Sequence, residues 1–244
     1  MGTIVSFDVR DVPPDGIMRA AIGWLHWVDE TFSTYRSDSP LSRYARGKVR
    51  LDDCPRDVAD VLLLCEEISQ ETEGYFRAEI NGRLDPSGIV KGWAVAAASE
   101  LLTAAGCPRN LVNGGGDLVA AAPPARGATW RVAIADPQRR GGLLTVVPLE
   151  SGAVATSGTG EDGPHVLNPF TGLPAQDLLT VTVSGPDLVR ADGYATAAVA
   201  MGADAPDWLR TLDGYCSMVV DAAGRMWTSP SWPHWSVPLA LATT

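Results

Sequence analysis

Asn110-Leu111-Val112-Asn113-Gly114-Gly115-Gly116-Asp117-Leu118-Val119-Ala120-Ala121-Ala122 is the stretch on which the fold turns. Asn110–Asn113 reads as a short strand, the three glycines as a tight turn, and Leu118–Ala122 as a second strand rather than a helix. Backbone amides in such a loop can approach a phosphate or a flat ring closely. Taken alone, these residues favour the plainer reading, a tight turn without a ligand. The stretch is neither GxGxxG nor GxxxxGK[ST], and no helix follows it, which disfavours a Rossmann site.

Working outward, residues 3–9 form a first strand and Pro13-Pro14-Asp15-Gly16 breaks it. Ile17, Ala21, Trp24, Val28 and Phe32 recur at helical spacing and predict one apolar stripe. Thr31 to Arg43 is polar and serine-rich, with no periodicity. A second helix starts near Pro55, buries Val58, Val61, Leu62, Cys65 and Ile68, and ends before Gly74. A third, alanine-rich helix spans Ile89 to Ala105 and closes at Gly106. Trp130, Val132 and Ile134 alternate, as do Leu144 and Val146, and the Asp136–Gly142 turn joins them into a hairpin. Further strands fit Ala153–Thr156, Leu178–Ser184 and Ser217–Asp221; helices fit Val189–Met201 and Pro206–Leu212. The tail, with Trp227, Trp232 and Trp235, is expected to be irregular and to pack across the surface. Strands joined mainly by turns predict an α+β fold, a mixed or antiparallel sheet flanked by helices, in one domain over residues 1–244.

Composition narrows the function. The chain has 244 residues, 45% of them apolar, and a formal net charge of −10, which argues against a nucleic-acid or anionic-membrane surface. Only His26, His165 and His234 are present, too few for a multi-histidine metal cage. Cys54, Cys65, Cys107 and Cys216 form no CxxC pair and read as reduced thiols. No apolar run is long enough to span a bilayer, and no signal peptide opens the chain, so a cytoplasmic protein without a membrane anchor is expected.

Four places could carry chemistry. Asp192 and Thr196 stand at i and i+4, adjacent on one helix face, and suit Mg²⁺, which takes few protein oxygens. By spacing alone the plainer reading, an exposed acid in the first turn and an ordinary threonine, is the favoured one. His165, between turn residues in Gly163–Gly172, is either a general base or a structural histidine. Leu84-Asp85-Pro86-Ser87-Gly88-Ile89-Val90-Lys91-Gly92 opens a helix, where amides and one lysine can hold an anion or simply cap the helix. Thr156-Ser157-Gly158 offers hydroxyls, but no GxSxG elbow is present.

In order, Met1-Gly2-Thr3, Phe32-Ser33-Thr34-Tyr35, Asp85…Lys91-Gly92, Asn113-Gly114-Gly115-Gly116-Asp117, Thr156-Ser157-Gly158, His165…Asn168-Pro169…Thr171-Gly172 and Ala191-Asp192…Thr196 resemble the FAD:protein FMN transferases of the ApbE family. The resemblance runs from Met1 to about Gly202. It implies an ApbE-like, T-fold-related architecture and a Mg²⁺-dependent transferase. Such an enzyme cleaves FAD, attaches FMN through a phosphoester to a Thr or Ser of an acceptor protein, and releases AMP. The family's metal ligands fall on Asp192, Thr196 and the main-chain carbonyl of Gly88, with Ala195 metal-associated in some members. FAD contacts fall on Met1, Tyr35, Tyr75, Phe76, Arg77, Asp85, Lys91 and Val166, and His165 matches the histidine implicated in phosphoryl transfer. In this reading Lys91 adds a positive charge at the FAD pyrophosphate. The chain departs from the family pattern in a shorter Gly74–Asp85 segment, in Arg77 where an acidic residue is common, and in Asn168 for Asp. The alternatives are an FAD pyrophosphatase giving free FMN and AMP, and a non-catalytic FAD-binding protein.

Overall fold

The computed structural model describes residues 2–158, 166–233 and 237–238. The Asn110–Ala122 stretch is a hairpin: β4 (Asn110–Gly114) and β5 (Asp117–Ala120) pair antiparallel, with Gly114 opposite Asp117. Gly115 and Gly116 take φ of +66° and +102°, and Asn113 Oδ1 accepts the Gly116 N–H at 3.0 Å. The loop is a tight turn, because only glycine adopts two successive left-handed conformations without strain.

The hairpin sits inside a seven-stranded sheet ordered β1-β4-β5-β8-β9-β10-β11, where β1 is Val5–Val9, β8 Gly152–Gly158, β9 Leu178–Gly185, β10 Cys216–Asp221 and β11 Met226–Thr228. Every pairing is antiparallel, which decides between the mixed and antiparallel expectations. Alternation gives the sheet two apolar faces. Val112, Ala153, Ala155, Val181, Val183 and Val219 point into the main core, whereas Leu118, Ala120, Val154 and Met218 point into a smaller one. The main core is closed by α4 (Ser87–Ala104) and α5 (Leu188–Met201), with α1 (Ile17–Phe32) packed outside on α4. The smaller core is closed by a second sheet, in which β6 (Trp130–Ala135) pairs with β7 (Leu143–Leu149).

Helix boundaries follow local chemistry. In α1, Ala21, Leu25, Val28 and Phe32 are buried, one stripe of an amphipathic helix. In α3 (Arg56–Glu71), Val58, Val61, Cys65 and Ile68 are buried, Leu62 only half so. The polar stretch without periodicity, Thr31 to Arg43, runs into α2 (Pro40–Ala45), which the sequence reading did not place; Ser39 caps it by accepting the Ser42 N–H, and Pro40 occupies its first turn. Two further departures involve strands. β2 (Glu79–Ile80) and β3 (Arg83–Leu84) form a hairpin about Asn81-Gly82, a turn signal that is plain in the sequence. The tail is more regular than expected: β11 joins the large sheet, β12 (Val237–Pro238) pairs with β7, and Trp232 is buried in the smaller core. The last helix, α6 (Ala205–Leu209), is short. The four cysteines are free. Among the described residues no helix is long and apolar enough to cross a membrane.

Candidate active site

A cleft of about 660 Å³ opens where the end of α1, the 75–88 segment, the start of α4, β8, the loop at 166–167 and one face of α5 converge. Its volume is that of a site for a large cofactor or dinucleotide. Tyr35, Tyr75, Phe76, Arg77, Asp85, Gly88, Lys91, Val166, Asp192 and Thr196 all line it. Met1 and His165 lie outside the described residues. The glycine-rich loop does not line the cleft; its part is to set Asp117 at the start of β5.

The floor is a buried charge cluster. Helix α4 carries Lys91, whose Nζ lies 2.6 Å from Asp117 Oδ2; the Asp117 side chain is fully buried and that of Lys91 is 28% exposed. Asp117 Oδ1 accepts the Thr156 N–H at 3.0 Å. On α5, Asp192 is 4% exposed and its Oδ2 accepts the Gly92 N–H at 3.2 Å. Two buried carboxylates therefore share one ammonium. Burial first, then the Asp117 charge, pushes the Asp192 carboxyl well above the usual carboxylate range. Burial also raises Asp117, against the opposing pull of Lys91. Burial works against the Lys91 ammonium, but Asp117 and Asp192 outweigh it and leave its pKa above the ordinary lysine value.

That imbalance tests whether a cation fits. The cluster lacks one positive charge, and a buried carboxylate without a partner either takes a proton or takes a cation. Nearby donors are oxygens. Thr196 Oγ1 is one helical turn from Asp192 and 3.5 Å from Ser157 Oγ. At Gly88 a β-carbon would stand 3.5 Å from Thr196 Oγ1 and 3.0 Å from the Phe76 ring, so the missing side chain leaves the α4 backbone open toward Thr196. A carboxylate, a hydroxyl and a main-chain carbonyl make a donor set for a small hard cation completed by water and substrate. Among the described residues no group of three or more His, Cys, Asp and Glu could hold a metal, so a softer, nitrogen- or sulfur-rich site is not built here.

The walls combine aromatic rings and fixed charges. Phe76 is buried and braces Gly88, whereas Tyr35 is 94% exposed at the mouth. Tyr75 meets Phe170 edge-to-face at 4.9 Å, and the Arg77 guanidinium lies 5.2 Å over the same Phe170 ring. Asp85 Oδ1 accepts the Ser87 N–H at 3.2 Å at the start of α4, and Asp85 pairs with Arg83 at 3.3 Å. Asp85 thus fixes the helix start as well as lining the cleft. Helix α5 is held from behind: Arg190 forms a bidentate pair with Glu71 of α3, and Tyr194 donates to Glu71 Oε2 at 2.7 Å.

Lys91 lines the cleft, and its ammonium is paired there with Asp117. The partner was missed because an acid after a glycine turn reads as a turn residue. Only the pairing across α4 and β5 shows it buried. The contact of Thr156 Oγ1 with Thr182 Oγ1 at 3.0 Å, which braces β8 behind the floor, was likewise invisible.

A family model described as the ApbE family matches residues 1–83 and 77–220. The chain belongs to the ApbE family. It is 29% identical over 160 residues to the FAD:protein FMN transferase of Salmonella typhimurium, over 60% of this chain and 46% of that protein. With the FAD:protein FMN transferase of Vibrio cholerae it shares 31% identity over 129 residues, 49% of this chain and 39% of that one. The chain spans about half the length of these curated relatives. Its fold superposes on the ApbE protein of Thermotoga maritima with a TM-score of 0.80 at 22% identity, covering 94% of each chain. Superposition on the flavin transferase ApbE of Vibrio cholerae gives 0.76 at 21% identity over 95% of each. The antiparallel α+β architecture is that of the ApbE structures.

Proposed function

We propose that this protein is an FAD:protein FMN transferase: it cleaves the FAD pyrophosphate, joins the FMN phosphoryl group to a Thr or Ser hydroxyl of an acceptor protein, and releases AMP. The observation that carries the reading is the meeting of Asp192, Thr196 and Gly88 on the floor of a dinucleotide-sized cleft walled by Tyr35, Tyr75 and Phe76. Membership of the ApbE family and the names of the similar proteins support it.

Asp192, Thr196 and the Gly88 carbonyl are the residues that would hold Mg²⁺, which when bound neutralises pyrophosphate charge. The chain's own residues do the rest. Lys91 pairs with Asp117 across the floor, and the Gly92 N–H fixes one Asp192 oxygen, so the acid is held in one orientation. Phosphoryl transfer depends mainly on such positioning and charge balance. The acceptor hydroxyl oxygen bonds to the FMN phosphorus as the bond to the AMP phosphate breaks, and His165 is assigned the hydroxyl proton.

Incubation with FAD, Mg²⁺ and an acceptor protein, followed by AMP assay and in-gel flavin fluorescence, tests this. AMP with a fluorescent acceptor is expected. AMP with free FMN instead identifies a pyrophosphatase, and neither product where FAD binds leaves a flavin-binding protein. His165→Ala is expected to depress transfer while FAD binding survives.

A further inference from the structure

Three cationic side chains line the cleft among the described residues: Arg77, Arg83 and Lys91. Two are engaged, Lys91 by Asp117 at 2.6 Å and Arg83 by Asp85 at 3.3 Å. Arg77 is exposed and has no carboxylate partner among the described residues. It is nevertheless held in place. Its Nε donates to the Gly74 carbonyl at 3.1 Å, and its guanidinium lies on the Phe170 ring. Gly74, at φ +79°, completes the seat: a β-carbon there would stand 3.1 Å from Arg77 Nη2 and 3.6 Å from the Phe170 ring. One Nε bond and one ring contact leave the terminal N–H donors of a planar fork unspent on protein groups.

We propose that Arg77 is the anion receptor of this cleft, taking a phosphoryl oxygen of the dinucleotide substrate, while Lys91 is an internal counter-ion of the floor. The inference rests on the flavin-transferase reading for the identity of the dinucleotide. A protein of net charge −10 does not draw an anion by its overall field, so a guanidinium on the cleft wall with no carboxylate partner among the described residues has to act locally. A guanidinium matches phosphate oxygens in a way that an ammonium does not. The Tyr75 ring, which lines the cleft and packs against the same Phe170, offers apolar surface near the cation, the juxtaposition a nucleotide presents in reverse as a base beside a phosphate. Arg77 is a binding residue here, with no role in proton transfer.

Titration of FAD, riboflavin, ADP and inorganic pyrophosphate into the native protein, Arg77→Ala and Arg77→Lys tests this by calorimetry or flavin fluorescence. Loss of one charge-assisted contact weakens binding roughly 10- to 100-fold. Arg77→Ala is expected to lower FAD, ADP and pyrophosphate affinity by that factor and to leave riboflavin, which has no phosphate, within twofold. Arg77→Lys is expected to fall between. Riboflavin affinity falling as far as FAD affinity would overturn the proposal, because Arg77 would then merely prop the Phe170 loop. Unchanged FAD, ADP and pyrophosphate affinity overturns it too. If the native protein binds ADP or pyrophosphate through Arg77 but not FAD, the anion receptor stands and the flavin reading falls.

Discussion

Replacing Lys91 by Met leaves Asp117 and Asp192 buried with no cation between them. Removing one partner of a buried pair typically destabilises by about 3–5 kcal/mol, because the other charge is stranded. Here the stranded groups are a fully buried Asp117 side chain and a 4% exposed Asp192, so Lys91→Met belongs in that range. For a chain of this size that corresponds to a drop in Tm on the order of 10 °C. Asp117→Asn is the informative contrast. It strands Lys91 less severely, since that side chain is 28% exposed and keeps Asp192 nearby, and the amide oxygen can still accept the Thr156 N–H. About 2–3 kcal/mol is expected for it. The Lys91→Met, Asp117→Asn double variant should recover much of the loss, because only one buried acid remains and it can hold its proton. Urea unfolding at pH 7, with and without Mg²⁺, measures all four proteins. Added cation should narrow the gap between Lys91→Met and the native protein. A Lys91→Met variant within about 1 kcal/mol of native would refute the charge-cluster account, as would losses that simply add in the double variant.

Two other expectations follow from the geometry. Gly92→Ala places a β-carbon 3.1 Å from both Asp192 Oδ2 and the Leu188 carbonyl, and backbone on α5 cannot yield as a flexible side chain does. Overpacking of about 1–3 kcal/mol should outweigh the roughly 0.5–1 kcal/mol of helix propensity gained, with lower stability in urea and weaker cation affinity. Tyr215 is pushed up to about 12 by burial, and Tyr194 is raised by burial and by its bond to Glu71. Above pH 10 the unfolded chain loses these protons while the folded chain keeps them, so stability should fall as pH rises from about 10 to 12. Tyr194→Phe should flatten that alkaline decline in a thermal-melt series while lowering stability at pH 7 by about 1 kcal/mol for the lost bond.

Most of the architecture was legible because its signals are local. Proline at 55, glycine at 106 and the apolar stripe from Ile17 to Phe32 place helices close to where they lie, and alternation places β6 and β7. The failures are local too. Ser39-Pro40 was a readable helix start and Asn81-Gly82 a readable hairpin, yet each governs too few residues to show periodicity. The tail strands β11 and β12 carry no pattern of their own and exist because β10 and β7 offer free edges.

By itself, the sequence determined most of the helices and strands and the residue types that could meet a phosphate or a hard cation; the antiparallel order of the sheet came from the tertiary pairings. Tertiary structure decided which charges are spent. Lys91 and Arg77 are both cations along one chain, but strand β5 brings Asp117 to Lys91 and none of the described acids to Arg77. Pairing energies depend on distance and burial between residues far apart in sequence, and neither quantity is encoded in spacing along the chain.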